Sequence, residues 1–190
     1  GVQTCALPIW FAAATQQLTI GNGLTDDCDL GPMTTREGVE TAKAHIADAV
    51  GKGAKIACGG VRPAGDKYRK GYYFTPTILR DASHRMLVMQ EETFGPVVGV
   101  MPFAEVDQAI ALANDTKYGL AAIAFTESLS LANRLVRELN AGNVAINNVD
   151  AGVINAPYGG WNDSGFGGFE HGPEGLREYL HTKHVRVRYL

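Results

Sequence analysis

Three kinds of residue in this sequence could begin chemistry: thiols, adjacent carboxylates, and a tyrosine set among glycines. The chain carries three cysteines, Cys5, Cys28 and Cys58. An odd number without C-x-x-C spacing argues against a disulfide framework or a zinc site. Cys28 lies in an acidic turn, Asp26-Asp27-Cys28-Asp29, whose negative neighbours disfavour the thiolate a nucleophile needs. Cys58 closes an apolar run and reads as core. Glu91 and Glu92 stand just before Thr93-Phe94-Gly95-Pro96; taken alone they are solvated charges ahead of a strand, and Phe94 a core residue. Tyr158 falls in a stretch with Pro157, Gly159, Gly160, Gly165, Gly167, Gly168 and Gly172. Taken alone, it is a packing anchor with its hydroxyl on the backbone. The five histidines, His45, His84, His171, His181 and His184, show no ligand spacing, so no metal is expected.

Composition bounds what such residues can serve. Apolar residues make up 45% of the 190 and charged residues 19%, enough to bury a core. The net charge of -3 offers neither nucleic acid nor a membrane surface a basic patch. No apolar run approaches the ~20 residues that cross a bilayer. The N-terminus has no basic segment of the signal-peptide kind, and unpaired thiols fit a cytoplasmic protein. The first residue is Gly1 rather than an initiator Met, and the chain reads as a fragment.

The elements that must hold these residues follow from periodicity. Phe11 to Ile20 favour a helix, ended by Gly21 and Gly23. Thr34 and Glu37 have capping-box spacing, and Val39, Ala42, Ile46, Ala49 and Val50 form one apolar stripe behind them. A short strand, Ala54 to Cys58, follows, then a polar loop from Val61 to Gly71 and an extended stretch from Tyr72 to Leu79. The second half alternates clearly. Strands at 96–101, 120–125 and 143–147 are separated by helices marked by Val106, Ala109, Ile110 and Ala113, and by Leu131, Leu135 and Leu139, with Gly142 placed to cap the latter. That rhythm predicts an α/β fold, a mostly parallel sheet with flanking helices. The stretch 155–172 is a long glycine-rich loop, a kind that is usually functional. A helix opened by Pro173 and an alternating strand from His184 to Leu190 end the chain.

Several segments together resemble the aldehyde dehydrogenase superfamily. Gln90-Glu91-Glu92-Thr93-Phe94-Gly95-Pro96-Val97 is similar to its Glu-Glu-x-Phe-Gly-Pro motif. Ala113-Asn114 with Tyr118-Gly119-Leu120 is similar to its Ala-Asn-x-x-x-Tyr-Gly-Leu stretch. Ala156-Pro157-Tyr158-Gly159-Gly160, followed by Ser164-Gly165-Phe166-Gly167, resembles its Pro-Phe-Gly-Gly and Ser-Gly-x-Gly loop. Gly21-Asn22-Gly23 and Leu30-Gly31-Pro32 sit where the family has further turns. The resemblance runs from about Phe11 to Leu190, in the right order. Succinate-semialdehyde dehydrogenases are plausible relatives.

The resemblance implies an enzyme that oxidises an aldehyde to a carboxylic acid with NAD or NADP. A cysteine thiolate attacks the aldehyde, hydride passes to the nicotinamide, and water hydrolyses the resulting thioester. It implies that Glu92 accepts hydrogen bonds from the nicotinamide ribose, which suits an acceptor-only carboxylate. Phe94 would limit the positions of the nicotinamide, and Tyr158 would line the substrate tunnel, its hydroxyl suiting a polar aldehyde. Trp161, Asn162 and Phe166 are further candidates for that wall. Gly168 and Phe169 stand where many members carry Arg-Glu, so an ion pair there is not expected.

No catalytic residue is assigned. Gln3-Thr4-Cys5 repeats the surroundings of the family's nucleophile, but only Ala6 to Trp10 separate it from the expected helix, too few for the family's intervening loop and strand. Residues 1–10 are therefore expected to be a non-native junction, 11–182 a catalytic-domain fragment, and 183–190 an oligomerisation strand in a homo-oligomer. Such a chain is expected to be inactive by itself. Two rivals remain: an acylating dehydrogenase or reductase of the same fold, and a non-catalytic remnant acting only as a strand-pairing module.

Overall fold

The computed structural model describes residues 3–149 and 152–189, with side chains from Leu7 onward. The chain divides after Phe103 into two compact units.

The first unit begins with helix α1 (Gln3–Gln16), which contains Pro8. The helix therefore starts earlier than Phe11 and ends before the glycines. The cause of its end is local: the amide and hydroxyl of Thr19 both donate to Asp29 Oδ2 at 2.8 Å. This draws the chain into an extended bridge between Ile20 and Leu30. The expected junction at residues 1–10 thus continues a helix from Gln3 on, while the side chain of Cys5 lies outside the described residues. Helix α2 (Arg36–Gly51) is capped by Thr35, not Thr34: its hydroxyl accepts from the Gly38 amide at 3.0 Å. Glu37 then falls in the first turn, where its charge faces the helix N-terminus.

Strand β1 (Lys55–Cys58) pairs antiparallel with β2 (Thr77–Arg80), with an irregularity between Ile56 and Cys58. Between them lies a 3-10 turn, Asp66–Tyr68, and the Arg62 guanidinium donates to the carbonyls of Tyr68 and Gly71. A short helix α3 (Leu87–Gln90) leads to β3 (Val97–Gly99), which runs parallel to β2. The core joins the α2 face of Ala42, Ile46 and Ala49 to Phe74, Leu79, Met86 and Val97. Each large apolar side chain so buried stabilises the fold by about 1.5–3 kcal/mol. Val50, expected in the same stripe, is instead exposed. Cys58 is buried with Ala12 and Ile78, as its apolar run suggested.

The second unit holds α4 (Val106–Asn114), β4 (Ala121–Ala124), α5 (Leu129–Glu138) and β5 (Asn143–Ile146). β4 and β5 pair in parallel, Ala121 opposite Asn143 through Ala124 opposite Ile146. Of the three apolar strands of the second half, β3 pairs in parallel with β2 in the first unit, and β4 and β5 pair in parallel in the second. β3 is held to β2 by Thr77 N–H donating to Pro96 and Val100 N–H donating to Leu79, at 2.8 Å each. Apolar character marks a strand but does not choose its partner. β4 is also less covered than expected, with Ile123 47% exposed.

Gly142 does not cap α5. Asn114 does that work, donating to the Glu138 carbonyl at 2.7 Å and accepting from the Asn140 amide at 2.8 Å. Helix α6 (Gly172–Glu178) carries Pro173 in its first turn, as expected. Residues 181–189 are exposed and form no strand within the described residues; Leu190 lies outside them. Among the described residues, no helix is long and apolar enough to cross a membrane.

Candidate functional site

In the first unit, the segment after α3 turns its side chains alternately out and in. Glu92 is exposed, Thr93 is buried at 9% and Phe94 is 83% exposed. The Thr93 hydroxyl meets the buried His45 Nδ1 at 2.9 Å. At the other end, the Pro96 carbonyl accepts from the Thr77 amide. The segment is thus pinned to α2 on one side and to β2 on the other, with Glu92 and Phe94 projecting between. Phe94 is not core. Its backbone has φ +46°, in the left-handed region that a bulky aromatic residue rarely adopts. Gly95 lies so close to Met33 that a Cβ there would sit 2.8 Å from the methionine Cε. Among the described residues, no hydrogen bond or ion pair engages the Glu92 carboxylate.

Charged groups behind this segment are arranged on α2. Asp48 accepts from the Leu87 amide at 2.8 Å and pairs with Lys52 at 2.7 Å. Lys52 first, and then the Leu87 amide, hold its carboxyl below the usual range. Beside the Ile20–Leu30 bridge, the Thr19 amide and then its hydroxyl depress the Asp29 carboxyl likewise.

In the second unit the glycine-rich loop is stitched to its neighbours by backbone. Trp161 N–H donates to Gly119 at 2.9 Å, Asp163 N–H to Lys117 at 2.9 Å, and Gly119 N–H to Ser164 Oγ at 3.0 Å. A Cβ on Gly142 would run into the Gly159 carbonyl, and one on Gly160 into that of Ser164. This close approach is why the loop must be glycine-rich. It also explains why the Tyr118-Gly119 stretch and the Ser-Gly-x-Gly loop occur together. Asn143, 7% exposed, donates both amide hydrogens, to Leu120 at 2.8 Å and to Gly159 at 3.1 Å.

Tyr158 is half-buried, with its ring 5.8 Å from that of His171. Backbone bonds from Glu170 to Tyr158 at 2.8 Å and from Gly172 to Ile154 at 3.1 Å close the loop around it. Among the described residues no hydrogen bond engages its hydroxyl, so the backbone-anchored role does not hold there. Trp161 and Phe166 are exposed, and Asn162 has φ +52°.

The structure brings Glu92 and Phe94 to one exposed segment of the first unit and Tyr158 to the loop of the second. Cys28 is half-buried and Cys58 buried, and both are free thiols. No group of three metal-ligating side chains occurs among the described residues. His45 was absent from the sequence candidates, although it falls on the buried face of α2 one residue before Ile46. A histidine on an apolar stripe was the available signal.

The chain matches the aldehyde dehydrogenase family over residues 10–185. It is 39% identical over 171 residues to the chloroplastic betaine aldehyde dehydrogenase of Atriplex hortensis, a match covering 90% of this chain and 34% of that protein. Identity to the non-phosphorylating aspartate-semialdehyde dehydrogenase of Halomonas elongata is 39% over 174 residues, 92% of this chain and 34% of that protein. The crystal structure of betaine aldehyde dehydrogenase from Staphylococcus aureus in complex with NAD+ matches with a TM-score of 0.86 at 38% identity, covering 93% of this chain and 35% of that one. The chain therefore spans about a third of the length of the relatives it matches. On these grounds the chain belongs to the aldehyde dehydrogenase family.

Proposed function

We propose that this chain is part of the catalytic domain of an NAD(P)-dependent aldehyde dehydrogenase that oxidises an aldehyde to a carboxylic acid. The observation that carries this reading is the out-in-out arrangement of Glu92, Thr93 and Phe94. It leaves an acceptor-only carboxylate and an aromatic face side by side, fitted to a ribose diol and the ring it bears. NAD or NADP, when bound, supplies the hydride acceptor. Glu92 holds the ribose by its hydroxyls, and Phe94 restricts where the attached ring can lie. Tyr158, with a hydroxyl uncommitted among the described residues, forms part of the wall that meets the aldehyde and favours a polar substrate such as a semialdehyde. On this reading none of Cys5, Cys28 and Cys58 serves as the nucleophile, and the chain by itself is expected to be inactive. Free thiols support a reducing compartment, which we read as the cytoplasm.

The exposed alternation of Val185, Val187 and Tyr189 supports a further part of the reading: residues 183–190 pair with a second copy of the subunit. Residues 11–182 then constitute the catalytic-domain portion. Removing residues 183–190 should lower the oligomer mass seen by light scattering; an unchanged mass would sink the strand-pairing role.

The test of the whole reading is Glu92→Gln in the enzyme completed by its upstream sequence. A charge-assisted hydrogen bond contributes about 1.5–3 kcal/mol, so the KM for the dinucleotide should rise about 10-fold or more. Unaltered kinetics for both substrates would overturn the assignment of Glu92.

A further inference from the structure

Three polar side chains, His45 and Asp48 on one face of α2 and Lys52 at its C-terminal cap, each grip the segment that leads to Phe94. Lys52 Nζ donates to the Arg85 carbonyl at 2.8 Å. Asp48 Oδ2 accepts from the Leu87 amide at 2.8 Å. His45 Nδ1 meets Thr93 Oγ1 at 2.9 Å. The spacing 45, 48, 52 sets the three along the last turns of the helix and its cap, a span of about 10 Å. The segment from Arg85 to Thr93 runs antiparallel to the helix along this row. The first two ties secure α3; the third reaches the motif itself, between its two exposed residues.

The third tie differs from the others in being buried, His45 at 7% and Thr93 at 9%. Burying a hydroxyl and an imidazole is unfavourable unless they satisfy each other, and an apolar pair of the same shape would serve the core as well. What the polar pair adds is direction: the bond keeps the Thr93 side chain turned towards His45. With Thr93 held inward, its neighbours Glu92 and Phe94 face outward, and Phe94 takes a left-handed backbone. A residue held at φ +46° costs about 1–2 kcal/mol and persists only where its surroundings insist on it.

We infer that His45 is a positioning residue for the cofactor: through its buried bond to Thr93 it holds Glu92 and Phe94 in the arrangement that receives the nicotinamide ribose. The functional half of this inference rests on the reading of Glu92 given above. The structural half stands independently and is tested on the 190-residue chain.

Thr93→Val removes only the hydroxyl at nearly constant volume, and Thr93→Ser restores it. Hydrogen exchange and the Phe94 amide–Hα coupling report the segment, while the 15N spectrum of the imidazoles at pH 8 reports the His45 tautomer. In Thr93→Val we expect amide exchange at residues 92–95 to accelerate about tenfold or more, with exchange in β2 unchanged. The single His45 tautomer should become a mixture, and both effects should reverse in Thr93→Ser. Equal acceleration across α2, β2 and the segment would make the pair a general core contact and overturn the proposal. So would an unaltered Phe94 coupling and exchange pattern. Glu92→Gln is expected to leave these readouts untouched. A positioned segment in which Glu92→Gln has no kinetic effect would therefore overturn the cofactor reading and leave the His45 tie standing.

Discussion

Asn143 offers a sharp test of how the glycine-rich loop is held. It is buried, and its amide group donates to two carbonyls, Leu120 at 2.8 Å and Gly159 at 3.1 Å. Gly159 directly follows Tyr158, so this one side chain ties β5 to the loop that presents the tyrosine. Two variants separate packing from donation. Asn143→Ala deletes both hydrogen bonds, at about 1 kcal/mol each, and leaves a small void, for a loss of about 2 kcal/mol. Asn143→Asp keeps the shape but replaces the donors with a carboxylate facing two carbonyl oxygens. That leaves a buried charge without a donor and should cost at least about 1 kcal/mol more than alanine. The assay is urea unfolding followed by Trp161 fluorescence in a Trp10→Phe background, Trp10 being 74% exposed and replaceable. With a typical slope of about 1–3 kcal/mol per molar, Asn143→Ala should move the midpoint by about 1 M. If Asn143→Asp unfolds within about 0.5 kcal/mol of the parent at pH 7, donation does not hold the loop and the reasoning fails.

Other expectations follow from the same geometry. Leu79→Ala, at a side chain with no exposure in the β2 core, should cost about 2–5 kcal/mol by circular-dichroism unfolding of the first unit. Gly142→Ala should be destabilising by about 1–3 kcal/mol and should shift the Trp161 emission, because its Cβ meets the Gly159 carbonyl rather than open space. Asp29 and Asp48 both have carboxyls depressed from the ordinary 3.8, so they bind protons less readily folded than unfolded. Their contribution is complete above that value and is lost as pH falls through the depressed folded values. Asp48→Asn should therefore flatten the acid limb of stability below about pH 4; an unchanged pH profile would remove Asp48 from the account.

Much of this molecule could be read from residue order, and the failures are instructive. The strand–helix alternation of the second half was legible because each helix carries its own stripe and each strand its own apolar run. Which strands pair was not, since β3 satisfies its backbone on β2 and nothing in Val97-Val98-Gly99 names that partner. The cap of α2 was off by one residue because Thr34 and Thr35 offer the same chemistry. Gly142 was taken for a helix cap because glycine near a helix end usually is one; its true constraint is a loop 17 residues later, visible only in three dimensions. The motif around Glu92 was legible as a pattern, whereas the bond to His45, 48 positions away, was not. A polar residue on a buried helical face is the clue that sequence does provide, and it marks where a partner must be sought.

The exposed segment at the chain's end has a consequence for the nascent protein. Val185, Val187 and Tyr189 are 66%, 67% and 92% exposed, and such alternation is a template for runaway stacking of identical chains. Arg186 and Arg188 occupy the intervening positions. Stacked in parallel register, like chains would set guanidinium over guanidinium at a repeat of about 4.8 Å, an arrangement that repels itself. A different edge, out of register or of another sequence, meets no such barrier. The same five residues can thus stay exposed while resisting fibre growth, with the arginines acting as gatekeepers during synthesis.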